Sequence, residues 1–169
     1  KFKDKIFTLK EFKKWYKETY GKFNYYEEWY DGFNIPSYVL NKFYLGEFNP
    51  LTKREKIILD ILKGCTNCYI IAVHDKKDKS NLHHELAHAL FYTDKGYKTK
   101  ILEILKKYDL KDMSKILHEV EGYGKDVIKD EIQAYCIAWH DTVKVNFPQK
   151  MLKEIRSIFD IYLERMSLL

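Results

Sequence analysis

Apolar and helix-favouring residues recur at helical spacing between residues 82 and 90. They fall at positions i, i+3, i+4, i+7 and i+8: Leu82, Glu85, Leu86, Ala89 and Leu90. Ser80 and Asn81 are residue types that cap helix N-termini, and the sequence Thr93-Asp94-Lys95-Gly96 ends the pattern. Because Leu, Ala and Glu are strong helix formers, the segment is predicted to form an amphipathic helix.

A strand is predicted directly before this helix. The sequence Tyr69-Ile70-Ile71-Ala72-Val73 is short, apolar and rich in strand-forming residues. It is bounded by Asn67 on one side and by a charged turn at residues 75–79 on the other. A rigid strand beside the helix would offer backbone groups to which an extended peptide could pair.

The rest of the chain is predicted to be mainly helical. Two capping boxes, Thr8-x-x-Glu11 and Thr52-x-x-Glu55, open helices that end at Gly21 and Gly64. Helical patterns also occupy residues 37–46 and 114–120, each opened by a serine, and residues 100–108, 126–142 and 148–166. The predicted fold class is α+β, mainly helical with a small β-sheet, in a single domain of residues 1–169. Residues 1–64 would be its mainly helical N-terminal part.

Composition places the chain among folded domains. Its 169 residues are 46% hydrophobic and 16% aromatic, which is enough to bury a core. An aromatic cluster in residues 23–35 could stack on bases or sugars, but core packing is the more common role. The cluster consists of Phe23, Tyr25, Tyr26, Trp29, Tyr30 and Phe33.

The net charge of +5 comes almost entirely from lysine. Arginine occurs only at Arg54, Arg156 and Arg165. Lysine lacks the bidentate fork with which arginine recognises phosphate and guanine, and the lysines are spread along the chain. The charge is therefore interpreted as solvated surface, and a nucleic-acid-associated protein is kept as an alternative function.

The three cysteines and the absence of long apolar runs bear on location. Cys65, Cys68 and Cys136 are too few for a secreted disulfide scaffold and favour a reducing, cytoplasmic compartment. The Cys65-x-x-Cys68 pair suggests a zinc knuckle or a redox motif, but no second pair completes a zinc site, so incidental thiols are favoured.

No run of about 18 apolar residues predicts a membrane span. The chain starts at Lys1 and not at Met, so a removed leader stays open.

The helix at residues 82–90 carries the strongest chemical signal. It contains His84-Glu85-Leu86-Ala87-His88, an H-E-x-x-H sequence. Residues four apart lie on one helix face, about 6 Å apart along the axis, so both histidines can reach one metal ion. Glu85 would lie beside them as general base for a water whose pKa zinc lowers to about 7. The alternative is that both histidines are ordinary surface residues of the helix.

A catalytic zinc needs a third protein ligand. The best candidate is Glu131, on a later helix whose inward face would consist of Ile128, Glu131, Ile132 and Tyr135. Its neighbour Asp130 is turned about 100° away and is expected to be more exposed. Glu131 could instead be a solvated carboxylate paired with lysine.

Three further residues are weaker candidates for the third ligand. Asp94 stands ten residues after His84, where metzincins place their third ligand, but the chain has Phe91 where that pattern needs a glycine for a sharp turn. His118 and His140 are the others, and both could be plain surface or core residues.

The H-E-x-x-H sequence followed by Asp130-Glu131 on a later helix resembles the gluzincin branch of zinc metallopeptidases. The resemblance covers about residues 69–142. It implies a zincin-like fold and one Zn²⁺ per chain, with His84, His88 and Glu131 as ligands and Glu85 as general base. Gluzincins often carry an Asp four residues after the ligand Glu, where it bonds the first His. Here that position is Tyr135, which would serve as that partner or as an electrophilic aid.

The function expected from these features is zinc-dependent hydrolysis of a peptide or protein substrate by an endopeptidase. Tyr123 or Tyr135 would stabilise the oxyanion. One alternative is a zincin-fold binding or regulatory module with little or no activity. The other is the nucleic-acid-associated protein, which zinc content would separate from the first two.

Overall fold

A computed structural model describes residues 2, 5–24, 32–65, 68–75, 77–138, 141 and 143–167. The helices in these residues are α1 (Leu9–Tyr20), α2 (Asn41–Tyr44), α3 (Lys53–Ile61), α4 (Lys79–Thr93), α5 (Lys95–Leu105), α6 (Lys111–Glu119), α7 (Ile128–Ile137) and α8 (Gln149–Ser167). A 3-10 helix, Ser37–Leu40, precedes α2. Strands β1 (Gly32–Pro36) and β2 (Tyr69–Val73) pair in an antiparallel two-stranded sheet. The predicted α+β, mainly helical class is therefore confirmed.

The chain divides into two compact units. The first consists of Lys1–Tyr30 and Ile35–Ile70, and the second of Asp31–Asn34 and Ile71–Leu169. Helices α1 to α3 belong to the first unit and α4 to α8 to the second. The helices of the described residues are all too short or too polar to cross a bilayer.

In the first unit, both predicted capping boxes are present. The Thr8 hydroxyl accepts from the Glu11 N–H at 3.2 Å, and the Glu11 carboxylate accepts from the Thr8 N–H at 2.6 Å. Thr52 and Glu55 make the same pair of bonds at the start of α3. Gly21 ends α1 with a φ of 85°, a conformation that favours glycine. Helix α3 already ends at Ile61, before the predicted end at Gly64.

Two predictions for the first unit are wrong. Ser37 does not cap its helix: it is the first helical residue, and its hydroxyl accepts from the Cys68 N–H at 3.2 Å. Cys65 and Cys68 are not incidental thiols, because they form a disulfide. Of the predicted aromatic cluster, Tyr25, Tyr26, Trp29 and Tyr30 lie outside the described residues.

Strand β2 has the predicted bounds, whereas β1 was not predicted. Strand β1 begins with Gly32 and ends with Pro36, and both residue types are depleted in strands, so its sequence indicates a strand only weakly. Gly32 allows close packing at this strand, because a Cβ there would lie 2.7 Å from Oδ1 of Asn81 and 2.9 Å from the carbonyl oxygen of Ala72.

The second unit is a helical assembly with one hydrophobic core. Helix α7 contacts α4, α6 and α8, while α5 packs against α4 and α8. The most deeply buried apolar side chains come from all five helices: Ala87, Tyr97, Ile101, Leu117, Ile132, Met151 and Ile155. The apolar stripe of α8 is core as far as Tyr162, and Met166 beyond it is exposed.

Several helix ends in this unit differ from the predicted ends. Helix α4 begins at Lys79, because Asp78 caps it and accepts from the Asn81 N–H at 3.0 Å. Helix α5 begins at Lys95, and not near residue 100, because Asp94 caps it and accepts from the Tyr97 N–H at 2.8 Å.

The next two helices also differ. Helix α6 begins at Lys111, before the predicted start at Ser114. Helix α7 is shorter than predicted at both ends. It starts at Ile128, and it stops at Ile137 because Ala138 is extended, with φ −142° and ψ 153°. Residues 139, 140 and 142 of the predicted helix lie outside the described residues.

Candidate metal centre

His84 and His88 meet on the buried face of α4. Both side chains are almost fully buried, each residue being 4% exposed. Their Nε2 atoms lie 3.3 Å apart, and the two rings are nearly perpendicular. The interpretation of these histidines as ordinary surface residues is therefore wrong.

Helix α7 brings Glu131 to this pair. Its Oε2 atom lies 3.6 Å from Nε2 of His88, and the ligand atoms of His84, His88 and Glu131 all lie within 4.8 Å of one another. The predicted inward face of α7 is confirmed, because Ile128, Glu131, Ile132 and Tyr135 are all buried.

Two of the three separations between the ligand atoms suit a tetrahedral zinc ion. Ligand atoms about 2.0–2.2 Å from such an ion lie about 3.3–3.6 Å apart, which matches the two separations measured from Nε2 of His88. The buried Oε2 atom of Glu131 has no hydrogen-bond partner among the described residues. A buried oxygen in this state is costly unless a cation or donor meets it. The donor set is also a known catalytic zinc set, two histidines and a glutamate.

Glu85 lies beside the group as a separate carboxylate. It is buried, and its Oε2 atom accepts a hydrogen bond from Nδ2 of Asn34 on β1. Burial raises the pKa of Glu85, while the bond from Asn34 opposes that rise. Asn34 was not foreseen from the sequence, because a contact across 51 residues leaves no local pattern.

Asp130 was expected to point away from the centre, but it holds His88. Its Oδ1 atom lies 2.9 Å from Nδ1 of His88, on the side of the ring opposite the candidate metal position. The side chain is 23% exposed, which is more than the 12% of the Glu131 side chain, as predicted. The adjacent Asp-Glu pair at the start of α7 was the signal in the sequence, since one helix turn can serve both the metal and its ligand.

Two tyrosines, Tyr135 and Tyr123, lie on the side of the site near His84. The ring of Tyr135 packs edge-on against the ring of His84, with centroids 5.2 Å apart. The Tyr135 and Tyr123 hydroxyl oxygens lie 3.1 Å apart, and the nearby Tyr123 hydroxyl acts to lower the pKa of Glu131. Tyr123 belongs to the loop between α6 and α7.

The weaker ligand candidates have other contacts. The Asp94 carboxylate caps α5. Nδ1 of His118, an exposed residue, lies 2.7 Å from the carbonyl oxygen of Tyr123 and so supports that loop. Among the described residues, neither joins the group of ligand atoms. His140 lies outside the described residues.

Burial and neighbouring charges shift the pKa values of His84, His88 and Glu131 by different amounts. Burial, followed by the charge of His88, lowers the pKa of His84 to about 3. Burial also acts to lower the pKa of His88, but the bond to Asp130 and the nearby carboxylates outweigh it and raise that pKa to about 9. Burial raises the pKa of Glu131 to about 7, against the opposing charge of His88.

Searches with protein-family models, among curated proteins and among solved structures found no match to this chain. The chemical character of the site is therefore inferred from its own atoms: two imidazoles and a carboxylate converge, with a second carboxylate beside them.

Proposed function

We propose that this protein is a zinc-dependent peptide hydrolase of the gluzincin type, with a zincin-like fold and one zinc ion per chain. His84, His88 and Glu131 would hold the ion. The observation that carries the proposal is the convergence of their three ligand atoms within 4.8 Å, with Glu85 buried beside them. Two neutral imidazoles with one carboxylate suit zinc better than Mg²⁺ or Ca²⁺, which prefer oxygen ligands alone.

A zinc ion in this site would supply Lewis-acid polarisation of the scissile carbonyl group and would make a water more acidic. Glu85 would take a proton from the attacking water as the water oxygen bonds to the carbonyl carbon. As the C–N bond breaks, Glu85 gives the proton to the leaving amine. Asn34 holds one carboxylate oxygen of Glu85 and so fixes its direction.

The tyrosine pair is the proposed oxyanion stabiliser. A phenol can donate a hydrogen bond to the negative charge that develops on the carbonyl oxygen. Tyr135 packs on His84, and the Tyr123 hydroxyl oxygen lies 3.1 Å from that of Tyr135. We assign the donor role to this pair, and Tyr135 is the member whose ring packs against the ring of His84.

A peptide is the proposed substrate. Strand β1 carries the asparagine that holds the base, so extended backbone stands next to the reacting group. Strand backbone recognises extended peptides by hydrogen bonding, independently of their sequence.

The test is metal analysis of protein purified without added zinc, followed by peptide-library hydrolysis. About one zinc per chain and cleavage of internal peptide bonds are expected. Glu85→Gln should keep the zinc and lose the cleavage, because an amide cannot take up the proton. Zinc without cleavage by the wild-type protein would favour the binding-module alternative, and absence of tight zinc binding would overturn the proposal.

A further inference from the structure

We propose that Gln133 and Tyr97, acting through Asp130, are positioning residues that set His88 in the one tautomer able to bind a metal ion. This inference rests on the proposed metal centre and adds residues that do not touch the metal, the substrate or the reacting atoms. It makes three helices, α4, α5 and α7, contributors to the geometry of a single imidazole.

A continuous chain of hydrogen bonds leads from α5 to His88. The Tyr97 hydroxyl donates to Oε1 of Gln133 at 2.8 Å. Nε2 of Gln133 donates to Oδ1 of Asp130 at 3.1 Å. That same carboxylate oxygen lies 2.9 Å from Nδ1 of His88. We call Tyr97, Gln133 and Asp130 the positioning chain.

The positioning chain passes through the core of the protein. Tyr97 and Gln133 are both 0% exposed. An amide and a phenol in such a place cost free energy unless they are hydrogen-bonded, and an apolar residue of similar size would avoid that cost. Their polar atoms are paired with each other and with Asp130, so these two residues serve the carboxylate and not packing alone.

Each hydrogen bond of the positioning chain has a fixed donor and acceptor, and these roles decide which nitrogen of His88 can bind the metal ion. An ionised carboxylate only accepts hydrogen bonds, so Nδ1 of His88 carries a proton, and in the neutral ring Nε2 keeps its lone pair. Nε2 is the atom that faces His84 and Glu131. Because metal ligands require this unprotonated nitrogen, the orientation of a distant amide bears on zinc affinity.

Tyr97 fixes the orientation of that amide. If the Gln133 side chain turned over, its oxygen would face the Asp130 carboxylate and would repel it. The hydroxyl of Tyr97 donates to Oε1 and so favours the orientation with the NH₂ group toward Asp130. The phenol therefore acts through three hydrogen bonds on the ring that it positions.

The protein offers a matched control for removal of the Tyr97 hydroxyl. Tyr162 is also buried in this core, at 7% exposed, and its ring packs edge-on against Tyr97 with centroids 5.2 Å apart. Tyr162→Phe removes a hydroxyl from the same cluster but not from the positioning chain.

The experiment measures Zn²⁺ affinity by chelator competition at one pH, together with urea unfolding of the metal-free protein. Gln133→Leu should weaken zinc binding by about tenfold, the lower end of what outer partners of ligating histidines contribute. Tyr97→Phe should give a smaller loss, and Tyr162→Phe should leave the affinity unchanged. With Co²⁺ in place of zinc, only the two positioning-chain variants should shift the visible absorption bands.

A double variant separates positioning from general destabilisation. Once Gln133 is leucine, removing the Tyr97 hydroxyl should have no further effect on zinc affinity, because the hydroxyl acts through the amide. Additive losses, or losses equal to those of Tyr162→Phe, would overturn the inference. If Gln133→Leu does not fold, Gln133→Met, which is similar in length and has no NH₂ donor, takes its place.

The same measurements separate this inference from the proposed function. A wild-type protein that binds no zinc overturns both. A wild-type protein that binds zinc and cleaves peptides, while the positioning-chain variants match the Tyr162→Phe control, overturns the positioning role alone.

Discussion

Nδ1 of His88 and Oδ1 of Asp130 lie 2.9 Å apart, on the far side of the imidazole from His84 and Glu131. The two nitrogens of one ring thus have separate tasks, one toward a carboxylate and one toward the candidate metal position. Such a carboxylate orients the ring and makes it a better ligand.

Asp130→Ala should weaken zinc binding by about 10–100-fold. The sequence suggested a weaker effect on zinc binding, because the helical position of Asp130 alone pointed its side chain away from the centre. Asp94→Ala is the matched control: it should cost about 1 kcal/mol of stability through the lost cap of α5 without changing zinc affinity. Zinc titration and urea unfolding of both variants check the contrast. Equal zinc affinities for the two would show that Asp130 does not support the ligand.

His88→Ala and Glu131→Ala should each abolish tight zinc binding, because a three-ligand site loses one ligand. His83→Ala is the control on the same helix, since the His83 ring packs against Phe159 and not toward the centre. The zinc content of each purified variant is the measurement. Stoichiometric zinc in the Glu131 variant would mean that another residue closes the site.

Glu85→Gln should lower the rate of peptide cleavage by about 10²–10⁴-fold while zinc content and fold are kept. The amide keeps the shape of the side chain and cannot accept the proton. Glu103→Gln, an exposed change on α5, is the control for a loss of one carboxylate. Cleavage near the wild-type rate would remove Glu85 from the role of base.

The metal-free protein should lose stability as the pH rises from about 6.5 to about 9. The pKa of His88 is raised from 6.5 to about 9 in the folded chain. The folded state therefore binds more protons than the unfolded state in that window, and the stabilisation is complete below pH 6.5 and lost toward pH 9. The loss should be at most about 3 kcal/mol.

Urea unfolding in the presence of a chelator at several pH values measures this dependence. His88→Gln should remove the slope between pH 6.5 and 9. Below that window, the lowered pKa of His84 and the raised pKa of Glu131 act in opposite directions on the pH dependence of stability. A metal-free wild-type protein whose stability is flat or rises from pH 6.5 to 9 would contradict the assigned charge on His88.

Sequence reasoning succeeded where the signal was local. The H-E-x-x-H helix, strand β2 and both capping boxes depend on residues within a few positions of each other, and the structure contains them all. The inward face of α7 followed from helical periodicity in the same way. These features place His84, His88 and Glu131 without any knowledge of the fold.

The missed features depend on contacts between distant segments. Asn34 reaches Glu85 across 51 residues, and Tyr97 reaches Gln133 across 36. Strand β1 was missed because Gly32 and Pro36, which bound it, are residue types depleted in strands. Helix α7 ends at Ile137 although the apolar pattern continues to Trp139, because the backbone is extended at Ala138.

Asp94 is the single residue between two helices: α4 ends before it and α5 begins after it. Asp94 is extended, with φ −111° and ψ 107°, so α5 is a separate helix that starts at Lys95. One residue inserted into α5 before Tyr97 would turn the Tyr97 side chain by about 100° around the helix axis and carry its hydroxyl away from Gln133. The position of the Tyr97 hydroxyl therefore depends on the number of residues between the start of α5 and Tyr97, and not on the identity of Tyr97 alone.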